Sequence, residues 1–127
     1  MNIARKTIGN LGEEAAVKYL KEKDYVILDR NFQNNSGRRL GEIDIVARGR
    51  KENELVFVEV KTREMAGYGD TLPEENITYP KLRRLEKIAQ TYIRLKKLED
   101  LPYRFDAISV WLNLEKNITR IKHIESL

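Results

Sequence analysis

Leu55-Val56-Phe57-Val58-Glu59-Val60-Lys61 opens as a strand buried on both faces and closes on two charges. Four apolar residues in succession leave no solvent face, which is the pattern of an internal strand. Side chains alternate along a strand. Leu55, Phe57, Glu59 and Lys61 therefore share one face, and Val56, Val58, Val60 and Thr62 share the other. A carboxylate and an ammonium thus project together where an apolar face ends. Charges are rarely placed beside a buried strand without a task, because taking them out of water is unfavourable.

Upstream, Gly41-Glu42-Ile43-Asp44-Ile45-Val46-Ala47 is a second strand carrying another acid among apolar residues. Glu42 and Asp44 are expected on one face, opposite Ile43 and Ile45. The polar segment Gly49 to Asn53 is short enough for a hairpin loop. Pairing about Lys51 puts Ala47 opposite Leu55 and Ile43 opposite Glu59, and a one-residue shift, such as a bulge provides, brings Asp44 to Glu59. Sequence leaves that register open. Two acids and a lysine on adjacent strands suggest a divalent-metal site for phosphodiester chemistry. Mg²⁺ takes oxygen ligands at about 2.0–2.1 Å, usually one or two carboxylates plus water and phosphate. A neighbouring lysine can orient a water or offset charge developing on phosphate. The plain alternative is a cross-strand ion pair in which Lys61 neutralises Asp44 or Glu59.

Working outward, residues 9–23 read as a helix, with Leu11, Ala15, Ala16, Tyr19 and Leu20 as its apolar stripe. Asn10 and Glu13 have the spacing of a capping box. Tyr25 to Phe32 is a first strand, with Tyr25, Ile27 and Asp29 on one face, and residues 33–37 form a turn. The second and third strands run over about 40–48 and 54–63. Residues 64–79 are irregular, with Gly67, Gly69 and Pro73 breaking any period, and a connector this long often binds something. A second helix starts near Pro80 and runs to about Leu98, its inner face being Leu82, Leu85, Ala89, Tyr92 and either Ile93 or Leu95. Tyr103 to Leu114 is a fourth strand, alternating Phe105, Ala107, Ser109 and Trp111 against Asp106, Ile108, Val110 and Leu112. Residues 118–124 are ambiguous in period. The order αβββαβ predicts an α/β fold with a mixed central sheet flanked by helices.

The 127 residues fit one domain, 1–127, with 41% hydrophobic residues supplying one core. No cysteine is present, which excludes disulfides, thiolate metal sites and cysteine nucleophiles. Neither a signal-type apolar segment nor a run of about 20 apolar residues occurs, so a soluble cytoplasmic protein without a membrane partner is expected. Net charge is +4, but residues 81–97 hold seven cations against Glu86 alone, +6, leaving −2 elsewhere. Such a field suits a polyanion, the competing reading being a solvated helix face. Arg63, Lys81, Arg84 and Lys87 are placed to contact phosphates. Tyr68 is the aromatic best placed to stack on a base, and no element reads as a base-sequence reader.

Five segments carry a resemblance over nearly the whole chain and in order: Gly9-x-x-Gly12-Glu13-x-x-Ala16, Gly41 to Ala47, Val58-Glu59-Val60-Lys61-Thr62-Arg63, Lys81-x-x-Arg84-Leu85-x-x-x-Ala89-x-x-Tyr92, and Arg104-Phe105-Asp106. The chain resembles the PD-(D/E)xK superfamily, with its restriction-endonuclease-like fold. More closely it resembles the YraN family of bacterial proteins, which are similar to archaeal Holliday-junction resolvases. The proline that names the superfamily is Ile43 here. The resemblance implies that Asp44 and Glu59 ligate Mg²⁺ or Mn²⁺, that the Val60 carbonyl adds a ligand, that Lys61 is the catalytic lysine, and that Glu13 reaches the same site. Glu13 also has the capping reading, and Glu14 beside it reads as the solvated acid. Glu42 is an extra acid without an assigned role. Asp106 reads as a partner of Arg104 or a turn cap, His123 as a surface residue, and Trp111, Tyr19, Tyr25 and Tyr92 as core. The expected activity is metal-dependent hydrolysis of DNA at branched structures such as Holliday junctions, by a homodimer if two-fold junctions are cut. The alternatives are a non-catalytic nucleic-acid-binding module and an interaction protein whose acids are only ion pairs.

Overall fold

The computed structural model describes residues 3–33, 41–51, 53–64, 78–113, 115 and 117–127. They form α1 (Ile3–Glu22), β1 (Tyr25–Gln33), β2 (Glu42–Gly49), β3 (Leu55–Glu64), α2 (Tyr79–Lys96), β4 (Tyr103–Leu112) and β5 (Ile118–Ile124). The sheet has five strands in the order β1-β2-β3-β4-β5. β1, β2 and β3 are an antiparallel meander, β3 and β4 are parallel, and β4 and β5 antiparallel. The connection carrying α2 supplies the crossover that parallel neighbours require. This is the expected restriction-endonuclease-like αβββαβ order with one further strand. No helix among the described residues is long and apolar enough to cross a membrane.

Each helix covers one sheet face. Ala16, Val17 and Leu20 of α1 pack on Ile45, Ala47, Val56, Val58, Ile108, Val110 and Leu112. Leu85, Ile88, Ala89, Tyr92 and Ile93 of α2 pack on Val46, Leu55, Phe57 and Phe105. The 55–58 run is thus divided between two cores, as its unbroken apolarity requires. In β4, residues 105–112 are all buried because the strand lies between β3 and β5. Along α2, Ile93 takes the inner position while Leu95 is 64% exposed. Ile88, absent from the expected inner face, is buried there.

Three local expectations are corrected. α1 begins at Ile3, so Asn10 lies inside the helix and caps nothing. No proline precedes Asn10, and Ile8 packs on the α1-side core, so the helix runs through Gly9 rather than starting after it. In β1, the register shifts between Ile27 and Asp29. Tyr25 and Ile27 face α1, whereas the Asp29 carboxylate accepts from the Tyr92 hydroxyl of α2 at 2.7 Å. In β2, Ile43 and Ile45 do not share a core: Ile43 joins the α2-side cluster and Ile45 the α1-side cluster. The alternation breaks at Asp44, across from the point where Asn31 of β1 adopts φ 54° between the Arg30↔Ile45 and Phe32↔Ile43 pairs. The predicted turn at 33–37 falls, after Gln33, outside the described residues, as do 65–77 of the irregular segment.

α2 is capped at both ends. Thr78 is its N-cap, accepting from the Lys81 amide at 3.3 Å, and Pro80 lies in the first turn. Lys97, with φ 56°, closes the other end in the left-handed conformation. The N-terminus of α2 is thereby fixed near the end of β3.

Candidate functional site

The hairpin joining β2 to β3 sets the register. The Gly49 amide donates to Glu54 O at 3.0 Å and the Asn53 amide to Gly49 O at 2.9 Å, closing a loop over 50–53. Arg48 therefore pairs with Leu55, and Ile45 with Val58. The offset is one residue from pairing about Lys51, and it arises in the turn rather than in a bulge. Extended further, this register would set Asp44 against Glu59, but the recorded pairing stops at Ile45 and Val58. In place of the next ladder bond, the Val60 amide donates to Asp44 Oδ2 at 2.7 Å. The aspartate side chain substitutes for a backbone acceptor as β2 turns away. N–H and C=O of one strand residue leave on the same edge, so the Val60 carbonyl lies on the edge that Asp44 occupies.

Asp44 is the most perturbed acid here. Burial raises its pKa, to about 7, against the lowering effect of the Val60 amide, and Glu13, Glu59 and Glu42 push it further up. Glu59 is 15% exposed; its Oε1 lies 2.5 Å from the Lys81 ammonium. Its Oε2 is buried and has no hydrogen-bond partner among the described residues. Lys61 stands with these groups: burial lowers its pKa, the Lys81 ammonium lowers it further, and Glu59 and Asp44 raise it. Lys81 thus pairs with the Glu59 carboxylate, and the charge of Lys61 interacts with it as well.

Glu13 comes from α1, whose close approach depends on Gly12. A Cβ at Gly12 would meet Thr62 Oγ1 at 1.8 Å, so only glycine lets the helix lie this near β3. Glu13 lies 3.5 Å from Arg30, and the same guanidinium bonds Glu14 at 2.6 Å. Glu14 is the more solvated of the two, 64% against 20% exposed. The charge of Glu13 acts on Asp44. Glu42 is exposed and accepts from Gln33 at 2.9 Å.

Asp44, Glu59, Val60, Lys61 and Lys81 are therefore brought together, and Glu13 approaches from the other helix. Arg84 and Lys87 are exposed on α2. Arg63 is partly buried, its Nε without a partner among the described residues. Tyr68 lies outside the described residues. Sequence reasoning placed Lys81 at phosphate and missed its bond to Glu59. A cation in the first turn of a helix, the wrong end for the helix dipole, was the available signal.

Glu13, Asp44 and Glu59 do not close into a tight trio. Among the described residues, the one group of three carboxylate or imidazole ligand atoms within 4.8 Å of one another is Asp106, His123 and Glu125. That group already holds a cation. Arg104 bonds Asp106 at 3.0 and 3.2 Å, Glu125 at 2.9 Å, Glu54 at 2.6 Å and the Tyr25 hydroxyl at 2.7 Å. His123, expected at the surface, is 9% exposed and lies 2.7 Å from Asp106 and 3.1 Å from the Tyr19 hydroxyl. Its position on β5 directs it under α1, which periodicity alone could not show. Burial pushes the Asp106 pKa up, but His123, Arg104 and the Ser126 amide hold it below the usual carboxylate value.

The oxygen donors at Asp44, Glu59 and the Val60 carbonyl suit a hard divalent cation. A buried carboxylate oxygen without a donor, beside an aspartate driven up by other acids, is the arrangement such a cation would relieve.

Comparison with known proteins places the chain in a family. The model of the uncharacterised protein family UPF0102 matches residues 12–110. A UPF0102 protein of Clostridium beijerinckii is 44% identical over 125 residues, covering 98% of this chain and 95% of that one. A relative from Caldanaerobacter subterraneus is 41% identical, over 96% of this chain and 94% of its own. One from Caldicellulosiruptor saccharolyticus is 39% identical, over 96% and 97%. The matched region contains Glu13, Asp44, Glu59, Lys61 and Lys81, and the chain belongs to the UPF0102 family, the YraN family of the sequence resemblance.

Proposed function

We propose that this protein is a divalent-metal-dependent nuclease that hydrolyses phosphodiester bonds in DNA, with branched structures such as Holliday junctions as substrates. The observation that carries the reading is the junction of β2 and β3: Asp44 fixed by the Val60 amide at 2.7 Å, beside a Glu59 with one buried oxygen that has no partner among the described residues. Bound by Asp44, Glu59 and the Val60 carbonyl, Mg²⁺ or Mn²⁺ would supply a Lewis acid for the scissile phosphate and an acidified water.

The chain's own groups account for the rest. Lys61, on which the charges of Glu59 and Asp44 act, offsets charge developing on the phosphate and orients the attacking water. Glu13 supports the site through its charge and is itself held by Arg30. Arg63, Lys81, Arg84 and Lys87, with the N-terminus of α2, supply cationic contacts to the DNA backbone. Such contacts read shape rather than base sequence. A junction with two-fold symmetry calls for two copies of the site, and hence a homodimer.

The test is a cleavage assay on branched, nicked and linear DNA with Mg²⁺ or Mn²⁺. Asp44→Ala and Lys61→Ala should each lower cleavage by roughly 100-fold or more while leaving DNA affinity in place. Salt-dependent binding without cleavage under any metal would instead make the protein a binding module. Absence of both binding and cleavage would leave only a structural role.

A further inference from the structure

Charge at the site is unevenly allotted. Lys81 is paired with Glu59, and the charge of Lys61 is coupled to Glu59 more than to Asp44, whereas Asp44 is under the charges of Glu13, Glu59 and Glu42. Lys81 is also badly placed by local rules. It is the third residue of α2, whose first turn holds no acid. A helix N-terminus repels a cation, by about 0.3–1 kcal/mol in ordinary cases. The lysine nevertheless reaches back across the helix start to Glu59 Oε1 at 2.5 Å, with its side chain only 25% exposed. A residue that breaks a local preference to make one buried contact is usually held there by that contact.

We propose that Lys81 is the resident counter-cation of Glu59 and competes with the divalent ion for that carboxylate. When the ion binds at Asp44 and Glu59, the Lys81 ammonium leaves Glu59 Oε1. It remains beside the positive end of α2, where a phosphate oxygen is its natural partner. Ion entry thus releases a phosphate-binding cation, and metal and DNA binding reinforce each other by the same coupling in both directions. Without the ion, Lys81 keeps Glu59 neutralised and the sheet edge folded. This inference rests on the metal-dependent reading above.

The experiment is a Mn²⁺ titration of the full chain followed by electron paramagnetic resonance, on the wild type, Lys81→Gln and Lys81→Arg. Lys81→Gln should bind Mn²⁺ up to about fivefold more tightly than wild type, the equivalent of one ordinary charge contact. Lys81→Arg, which keeps the charge, should stay near wild type. Thermal unfolding gives a second readout: Lys81→Gln should melt below wild type without Mn²⁺ and gain more from adding it. If Lys81→Gln does not fold, Lys81→Met, which preserves the aliphatic stem, takes its place. Equal or weaker Mn²⁺ binding by the neutral variant overturns the competition while leaving the nuclease reading intact, provided Glu59→Gln abolishes binding. If neither wild type nor the neutral variant binds Mn²⁺, both readings fall.

Discussion

Asp44 and Asp106 lie on the strands that flank β3, and both are withdrawn from water, yet their surroundings are opposite. Asp106 is 1% exposed and receives Arg104, His123 and the Ser126 amide at 2.7–3.2 Å. Those partners hold it ionised. Asp44 receives one backbone amide and faces three other carboxylates, and its pKa rises to about 7. Interatomic spacing alone would choose the Asp106 cluster as the metal site. Charge balance chooses against it, because the Arg104 guanidinium already fills the place of a cation. A finished polar cluster stabilises a fold, whereas one that lacks a counter-charge is a place for a ligand.

The largest expected effect breaks this comparison directly. Asp106→Asn should destabilise the protein by about 3–5 kcal/mol, since it strands the partly buried Arg104 and its acids without their central partner. Asp44→Asn should do the reverse in metal-free buffer. The folded-state pKa of Asp44 lies above its unfolded value of 3.8, so its contribution is fully present below about pH 4 and is lost as pH rises through about 7. At pH 8 the substitution should therefore raise stability, by at most about 4 kcal/mol, and at pH 4 it should be near neutral. Urea unfolding at the two pH values checks both signs. Mg²⁺ at pH 8 should stabilise wild type and leave Asp44→Asn unchanged. A destabilised Asp44→Asn at pH 8 would mean that Asp44 is a structural acid like Asp106.

How far this contrast is visible without coordinates differs between the two aspartates. The buried run at 55–58, the meander and the crossover helix follow from periodicity and length, and the acids at 44 and 59 follow from apolar strands that end on charges. What sequence could not supply were cross-strand facts. His123 reads as a surface residue until β5 is paired with β4, which turns it beneath α1 against Tyr19. The face change at Asp44 depends on Asn31, a residue of the neighbouring strand. The hairpin register depends on whether the turn centres on Lys51 or half a residue further, a difference that no alternation pattern records. The capping box at Asn10 was a local signal overridden by helix residues before it.

A smaller effect sharpens the comparison through α1. Gly12→Ala places a methyl group against Thr62, a β-branched side chain with little freedom to move aside. The helix must lift from β3, and the expected loss is about 2–3 kcal/mol. The Asp106 cluster, which α1 meets through Tyr19, should keep its low-pH behaviour. Shortening the obstacle tests the cause: Thr62→Ala in the Gly12→Ala background should recover part of the loss in urea unfolding. No recovery would mean that Gly12 is needed for its backbone rather than for space.

The smallest effect separates Glu13 from Glu14, neighbours that share Arg30. Removing either charge leaves the guanidinium one acid. Glu14→Gln breaks an exposed pair at 2.6 Å and should change stability by no more than about 0.5 kcal/mol, equally at every pH above the carboxylate range. Glu13→Gln differs because Glu13 has the largest effect of the acids that push Asp44 up. Without that charge Asp44 ionises at lower pH in the folded state, so the decline of metal-free stability that starts near pH 4 should end earlier and be smaller in total. At pH 8 the variant should equal or slightly exceed wild type, despite losing an ion pair. Stability measured across that range, in parallel for the two variants, distinguishes them even though each effect is near 1 kcal/mol or less. Coincident profiles would place Glu13 with Glu14 as a partner of Arg30 alone, and would reduce the site to Asp44, Glu59 and the two lysines.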